Sequence, residues 1–578
     1  MLLVVAAACG TDAGGPTVEA LAVLSGDHQG LVAAAPAGAP LEVRLTGQNG
    51  APGAGVEVDW SVVAGTGHLS GITTTDTGGV SEAFFAADTV AGNVVVRARA
   101  ATGDSALFHL RVVGGPAVGL AVHSGNAQLG CTGDTLPSAL VAQVVDRYRN
   151  GTPGTWVHWG IGAGDGALLV DSVRSDSGGL AATRFAIGDS VIESVVATAA
   201  GLAGSPATFA IRVQRCFRVL GGGNNVPERY TSDLWLAKGY AYTGTWGFRS
   251  AQGNVVNIWQ LAPNGSPALV SRLTVASNIG TVSDLQVSPD SSLLVVTGES
   301  GPGSGLYLYS LADPANPTLL GQYLVNNNTG GLHTGTLAVI GGQLYDFTAR
   351  DPSGPSLLIF RIQPDSATKI VQVDSIEMPA NYGIHDTYVR DGMLFVNNWN
   401  SGLWIYDIGG AGRGGSVSSP VFISSIVTGA AADGSTPAGQ VHNSWWFHNG
   451  ATGDKKYVFV GQEGPDVIGA QSNGDIHVVD ISDIDHPTEV AYYHMGSHEG
   501  THNFWVDEQR QILYAAYYNG GVVALDVSGA LSGDLAGREI ARIAPGGAGD
   551  TYVWGVMLYG GSLYAADMLS GLWQLKVP

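Results

Sequence analysis

Short apolar runs of about four to eight residues recur along the whole chain, each bounded by Gly, Asp, Asn or Pro. Residues 255–261, 306–311 and 476–481 are typical. No long segment carries the i, i+3, i+4 spacing of an amphipathic helix. This pattern predicts an all-β protein of many short strands joined by tight turns.

Two periodicities divide the chain. Residues 17–216 repeat at about 100 residues: Gly55-Val56-Glu57-Val58-Asp59-Trp60 matches Gly154-Thr155-Trp156-Val157-His158-Trp159, Asp76-Thr77-Gly78-Gly79 matches Asp176-Ser177-Gly178-Gly179, and Phe85 matches Phe185. Apolar and polar residues alternate within each copy. That predicts two β-sandwiches, 17–114 and 115–216, each with an inward Trp and a turn that needs positive φ at glycine.

From 217 to 578 the repeat shortens to about 50–60 residues with four strands per unit, the signature of a propeller blade. Seven openings can be counted: Ser232-Asp233, Ser283-Asp284, His333-Thr334, His385-Asp386, His442-Asn443, His502-Asn503 and Trp554-Gly555. The chain ends on 571–577, which reads as a third strand. Residues 217–220 are expected to supply the missing fourth, which leaves no open sheet edge between the two ends.

The strand tryptophans and the Asp-x-Gly-Gly turns resemble those of bacterial Ig-like domains of surface adhesins and exported enzymes, which implies a stalk. The Gly-led apolar strands ending near Asp, such as 402–407, 474–480 and 521–526, with turns such as 313–317 and 483–487, resemble the LVIVD-repeat family of exported bacterial propellers. The fold expected from both is two Ig-like β-sandwiches followed by a seven-bladed β-propeller.

The 578 residues carry a net charge of −22, with only 26 Lys and Arg spread over the chain, which argues against a nucleic-acid partner. Residues 1–16 read as a truncated export signal and linker. Cys9 follows the apolar run 1–8, and Ala6-Ala7-Ala8-Cys9-Gly10 resembles a lipobox, so Cys9 is expected to be lipidated. No other segment has the ~18 apolar residues of a membrane span, so membrane attachment is expected only through lipid. The protein is read as exported, either anchored at the cell surface or outer membrane or periplasmic. Export permits disulfides, and Cys131 and Cys216 are expected to pair, the alternative being two buried thiols.

Nine of the 14 histidines lie beyond residue 217, and His333, His385, His442 and His502 open four consecutive repeats. Equivalent positions form an arc round one mouth of a propeller channel. Two readings follow: the imidazoles hold one transition-metal ion such as Cu, Zn or Fe, or they tie blades together through backbone carbonyls. Ser232 and Ser283 at the same position leave the arc open. His498, with His448 and His494, could add to this mouth. His498-Glu499-Gly500-Thr501-His502 fits the H-E-x-x-H pattern of zinc proteases, but that chemistry needs a helix, and Gly500 interrupts one. Thr334, Asp386, Asn443 and Asn503 are expected to turn away from the arc on a pleated strand and to bond backbone between blades. Trp445, Trp446, Trp505 and Trp554 either pack between blades or line a pocket. The first functional reading is an extracellular binding protein whose propeller recognises a protein, glycan or small molecule. The alternative is a metal-dependent enzyme with its site at the channel mouth.

Overall fold

The computed structural model describes residues 18–578 except 48, 49, 72, 224, 225, 248, 264, 326–329, 352, 353, 379–382, 465 and 497. Cys9 lies outside the described residues. Strands dominate, and the one helix among the described residues is the 3-10 turn Ala536–Arg538. No helix is long and apolar enough to cross a membrane. The chain divides into two compact units, Met1–Gln214 and Arg215–Pro578.

The first unit contains two sandwiches. In the first, Val18–Ser25, Leu41–Gly47, Val80–Ala87 and Gly67–Gly71 make one sheet, and Gly30–Val32, Ser105–Val113, Gly92–Ala100 and Val58–Ala64 make the other. Alternation buries one face of each. Leu41, Val43, Leu45 and Phe85 from one sheet meet Val58, Val96 and Phe108 from the other in a single core. Trp60 packs 5.5 Å from Phe108 and donates to the Ser81 hydroxyl. The second sandwich repeats the packing, with Trp159 at 5.4 Å from Phe209, but Trp159 Nε1 makes no hydrogen bond.

The repeated turn is the same in both. Asp76 Oδ1 accepts from the N–H of Gly78 and Val80 at 2.8 and 2.9 Å, and Asp176 Oδ1 accepts from Gly178 and Leu180 at the same distances. Gly79 and Gly179 sit at φ +74° and +76°, where a side chain would be strained. The strand Leu129–Cys131 runs parallel to Ala207–Gln214 and sets Cys131 opposite Gln214. The five histidines of this unit, His28, His68, His109, His123 and His158, are not buried in its cores.

The second unit holds seven sheets, antiparallel except where the short strand Gly533–Asp534 adds parallel to Thr488–Tyr493. Their first strands are Tyr230–Ala237, Leu285–Val287, Gly331–Ile340, Asp386–Arg390, Val441–Phe447, Phe504–Asp507 and Val553–Tyr559. Each neighbours the next in chain order, and the last neighbours the first, so they close a cycle round a channel. This is a β-propeller. Each gap between adjacent sheets has its own hydrophobic cluster, from Tyr242 and Ile258 against Leu294 and Tyr307 to Leu234 and Trp259 against Met557 and Tyr564. Arg218–Gly222 pairs antiparallel with Gly571–Lys576 and is the outermost strand of the last sheet, so the two ends of this unit are joined in one sheet.

Candidate metal centre

The four repeat-opening histidines stand at the start of the inner strands of the third to sixth sheets. Neighbouring ring centroids are 4.4 Å apart for His333 and His385, 4.0 Å for His385 and His442, and 3.9 Å for His442 and His502. The Nε2 atoms of His333 and His385 are 3.1 Å apart. The rings therefore converge.

The outer nitrogens of the two end rings are occupied. His502 Nδ1 lies 2.6 Å from the Trp554 carbonyl, which can only accept, so Nδ1 carries the proton and Nε2 keeps its lone pair. His333 Nδ1 lies 2.9 Å from Glu299 Oε1. An oxygen acceptor on one ring nitrogen, fixing the tautomer of the other, is the usual support behind a metal-ligating histidine. His385 Nδ1 and both nitrogens of His442 are buried without a hydrogen-bond partner. Burial, reinforced by the neighbouring imidazoles, holds His385, His442 and His502 well below the usual histidine range, so all three are neutral near pH 7.

A carboxylate completes the group. Glu463 Oε2 lies 3.7 Å from His385 Nε2 and 3.8 Å from His442 Nε2. One ligand atom from each of these three residues falls within 4.8 Å of the others. Glu463 Oε1 accepts from the Tyr518 hydroxyl at 2.5 Å, and burial pushes its carboxyl up to about 7. Three neutral imidazoles and a carboxylate are a donor set for Zn, Cu or Fe. Aromatic rings wall the group: Trp399 stacks on His385 at 5.1 Å, and Trp554 lies 4.5 Å from His502.

Glu463 was not apparent from the histidine pattern, though a second repeat position contains it. Glu299, Trp399 and Tyr518 each follow the second strand of their sheet and bridge to the inner strand of the next, at Gly331, Val441 and Val553. Glu463 follows Tyr457–Gln462 in the same way, and its N–H donates to the Gln440 carbonyl at 3.0 Å. Aligning the ends of the second strands would have found all four.

The other candidates lie elsewhere. His498 is exposed at φ +83°, and its carbonyl accepts from Ser472 and Asn519; among the described residues no ring contact joins it to the four. Residues 498–502 are not helical, so the H-E-x-x-H spacing puts no pair of imidazoles on one face. His494 Nδ1 binds Asp475 at 2.7 Å, and His448 packs on Trp446, where burial lowers it to about 4. Ser232 and Ser283 donate to the carbonyls of Val282 and His333, each at 2.6 Å, which is the blade-tying role. His502 shares it, through the Trp554 carbonyl.

One expectation is corrected. Asp386, Asn443 and Asn503 do not turn away: they line the channel one residue beyond the imidazoles. At Asn443 the pairing shifts register, and such a bulge breaks the strict alternation of a pleated strand; Asp386 pairs with Asn397 without a shift. Thr334 follows the expectation, donating to the His385 carbonyl.

No protein-family model and no curated protein matches the chain. Solved structures similar to it include Sqt1 of Saccharomyces cerevisiae, at 11% identity and TM-score 0.39 over 61% of this chain and 83% of that one. The β-propeller domain of Myceliophteria thermophila Cps50 (Swd1) gives 12% and 0.40 over 62% and 98%. Chaetomium thermophilum Sqt1 bound to the N-terminus of ribosomal protein L10 gives 12% and 0.39 over 63% and 90%. These likenesses are of fold and say nothing of function.

Proposed function

We propose that the chain is an exported metalloprotein. Its seven sheets are the blades of one propeller, two Ig-like domains serve as a stalk, and the working site is a transition-metal centre held by His333, His385, His442, His502 and Glu463. One observation carries this: two end rings have their outer nitrogens engaged by oxygen acceptors, while His385 and His442 between them keep unpartnered nitrogens beside a shared carboxylate. The serine side of the ring contributes no nitrogen, which supports an open coordination position and favours a metal-dependent enzyme over a purely structural ion. A bound ion would supply Lewis acidity or electron transfer there. Glu463 would give up its proton to bind such an ion and bring a negative charge to it. The acidic lipobox-bearing chain supports export, and the place of Cys131 opposite Gln214 supports a bridge to Cys216 two residues on.

Elemental analysis after reconstitution tests the centre. About one equivalent of Cu, Zn or Fe is expected, lost in the double variant His385→Ala, His442→Ala with the circular dichroism spectrum retained. Substoichiometric metal in the wild-type protein refutes it. For the bridge, unreduced protein should offer no alkylatable thiol at Cys131 or Cys216.

A further inference from the structure

The same inner strands build a different surface farther along the channel. Three residues beyond each repeat opening stand Trp235, Gln286, Thr336, Tyr388, Trp445, Trp505 and Met557. Four of these rings form an unbroken series: Trp235 is 6.5 Å from Trp505, Trp505 is 5.4 Å from Trp445, and Trp445 is 5.3 Å from Tyr388. All four are half-buried and line one cavity of about 240 Å³.

Between this aromatic wall and the imidazoles lies a polar floor. Asp233 and Asp386 line the cavity with Asn443 and Asn503, and no Lys, Arg or His lines it. Asp233 accepts from Leu234 N–H at 2.8 Å and from Asn503 Nδ2 at 3.0 Å, and Asp386 accepts from Thr387 N–H at 2.7 Å. These donors are neutral; Asp233 also shares a hydrogen bond with the Asp284 carboxyl, and Asp386 lies in the field of the His333 imidazole. The seventh sheet makes room for them with glycine: a Cβ on Gly555 would stand 2.4 Å from Asp233 Oδ1. Ser444, 6% exposed, is a further residue of the cavity wall, and its hydroxyl makes no hydrogen bond.

We infer that this cavity binds a small organic cation, an ammonium group bearing apolar substituents, with its charge toward Asp233 and Asp386 and its body against Trp235, Tyr388, Trp445 and Trp505. Aromatic faces attract a cation electrostatically, and acidic side chains grouped in a partly enclosed site favour one by giving their charged form a partner. An anion would meet only like charge. A bare metal ion fits poorly, because among the described residues only His385, His442 and Glu463 bring three such ligand atoms within 4.8 Å of one another. A neutral apolar ligand would leave the acidic floor uncompensated. This site does not depend on the metal centre and stands if that centre fails.

Calorimetric titration of the full chain with choline, its neutral isostere 3,3-dimethylbutan-1-ol and calcium chloride decides it. Choline should bind saturably, with the isostere about tenfold or more weaker, a difference of about 1.4 kcal/mol or more. Asp386→Asn should weaken choline about tenfold while leaving the isostere unchanged, with metal content measured on the same samples. If that variant does not fold, Trp505→Leu, which trims a half-exposed ring, should weaken choline similarly. Equal affinity for choline and the isostere overturns the inference. So does saturable calcium binding with none for choline, or no saturable binding of choline by the wild-type protein.

Discussion

At one level of the channel burial disfavours the charged imidazole; beside it, on the same strands and their partners, burial disfavours the charged carboxylate, which a bound cation would restore. His385, His442 and His502 are pushed down, whereas Asp386 and Asp346 are pushed up to about 7 and Asp233 and Asp284 are also raised. The cause is the same, loss of water around the charged form. The consequences for stability have opposite signs. Unfolded histidines take up protons below about 6.5 while the native ones do not, so this contribution is present above that pH and is lost as pH falls below it. Unfolded aspartates ionise above about 4, while native Asp346 and Asp386 resist until about 7, so their contribution is lost as pH rises through that window. A cation at either level would favour the form burial leaves or restores there: a neutral imidazole lone pair at one, an ionised carboxylate at the other.

The largest effect should come from the imidazole level. At about a thousandfold excess over its dissociation constant, the correct metal stabilises the native state by about 4 kcal/mol through mass action. Differential scanning calorimetry with and without metal should show this as an upward shift in Tm at pH 7.5. The double variant His385→Ala, His442→Ala should show no shift. A shift that survives in the variant breaks the comparison, because the ion would then be held elsewhere.

Next in size is the carboxyl level, through Asp346. This side chain is fully buried, and its oxygens lie near the Thr348 hydroxyl without hydrogen-bond geometry. A native value of about 7 against 3.8 corresponds to about 4 kcal/mol lost between pH 4 and pH 7. Asp346→Asn keeps the shape and removes the titration. Urea unfolding should find the variant more stable than wild type at pH 8 by up to about 4 kcal/mol, with the gap closing toward pH 4. A gap independent of pH would show that Asp346 is not held protonated.

Much of this was legible from the sequence, because propellers repeat. The openings mark the repeat from 217 on, and the shared Trp and Asp-x-Gly-Gly positions mark the repeat of residues 17–216. His333, His385, His442 and His502 shared one repeat position, so their convergence follows from symmetry. Three things were hidden. Glu463 sits on a different strand from the histidines, and strand-end positions carry no fixed residue type from sheet to sheet. The floor was hidden in part by bulges at Thr231/Leu234 and Val441/Asn443, which re-aim Asp233 and Asn443 where pleat alternation alone would not. His498 was drawn in by nearness in sequence to His502, yet a left-handed backbone at 498 turns the chain before the inner strand begins.

The smallest effect belongs to the rim of the aromatic end, where charge is paired instead of buried alone. Arg390, two residues beyond Tyr388, holds Glu508 through two bonds of 2.6 and 3.0 Å. Glu508 also accepts from Trp445 Nε1 and from the N–H of His448. Although burial alone would raise it, these donors hold the Glu508 carboxyl below its ordinary range. Its contribution is therefore present above about 4.5 and is lost as pH falls below that value, the reverse of Asp346. Because Arg390 is about a third exposed and the pair is reached by solvent, Glu508→Gln should cost only about 1 kcal/mol at pH 7. The cost should shrink in 1 M salt, where the Debye length is about 3 Å, while the gain from Asp346→Asn should not change. Urea unfolding of both variants at low and high salt separates the two kinds of charge. If both effects are screened alike, Asp346 is reached by water and the contrast between rim and interior fails.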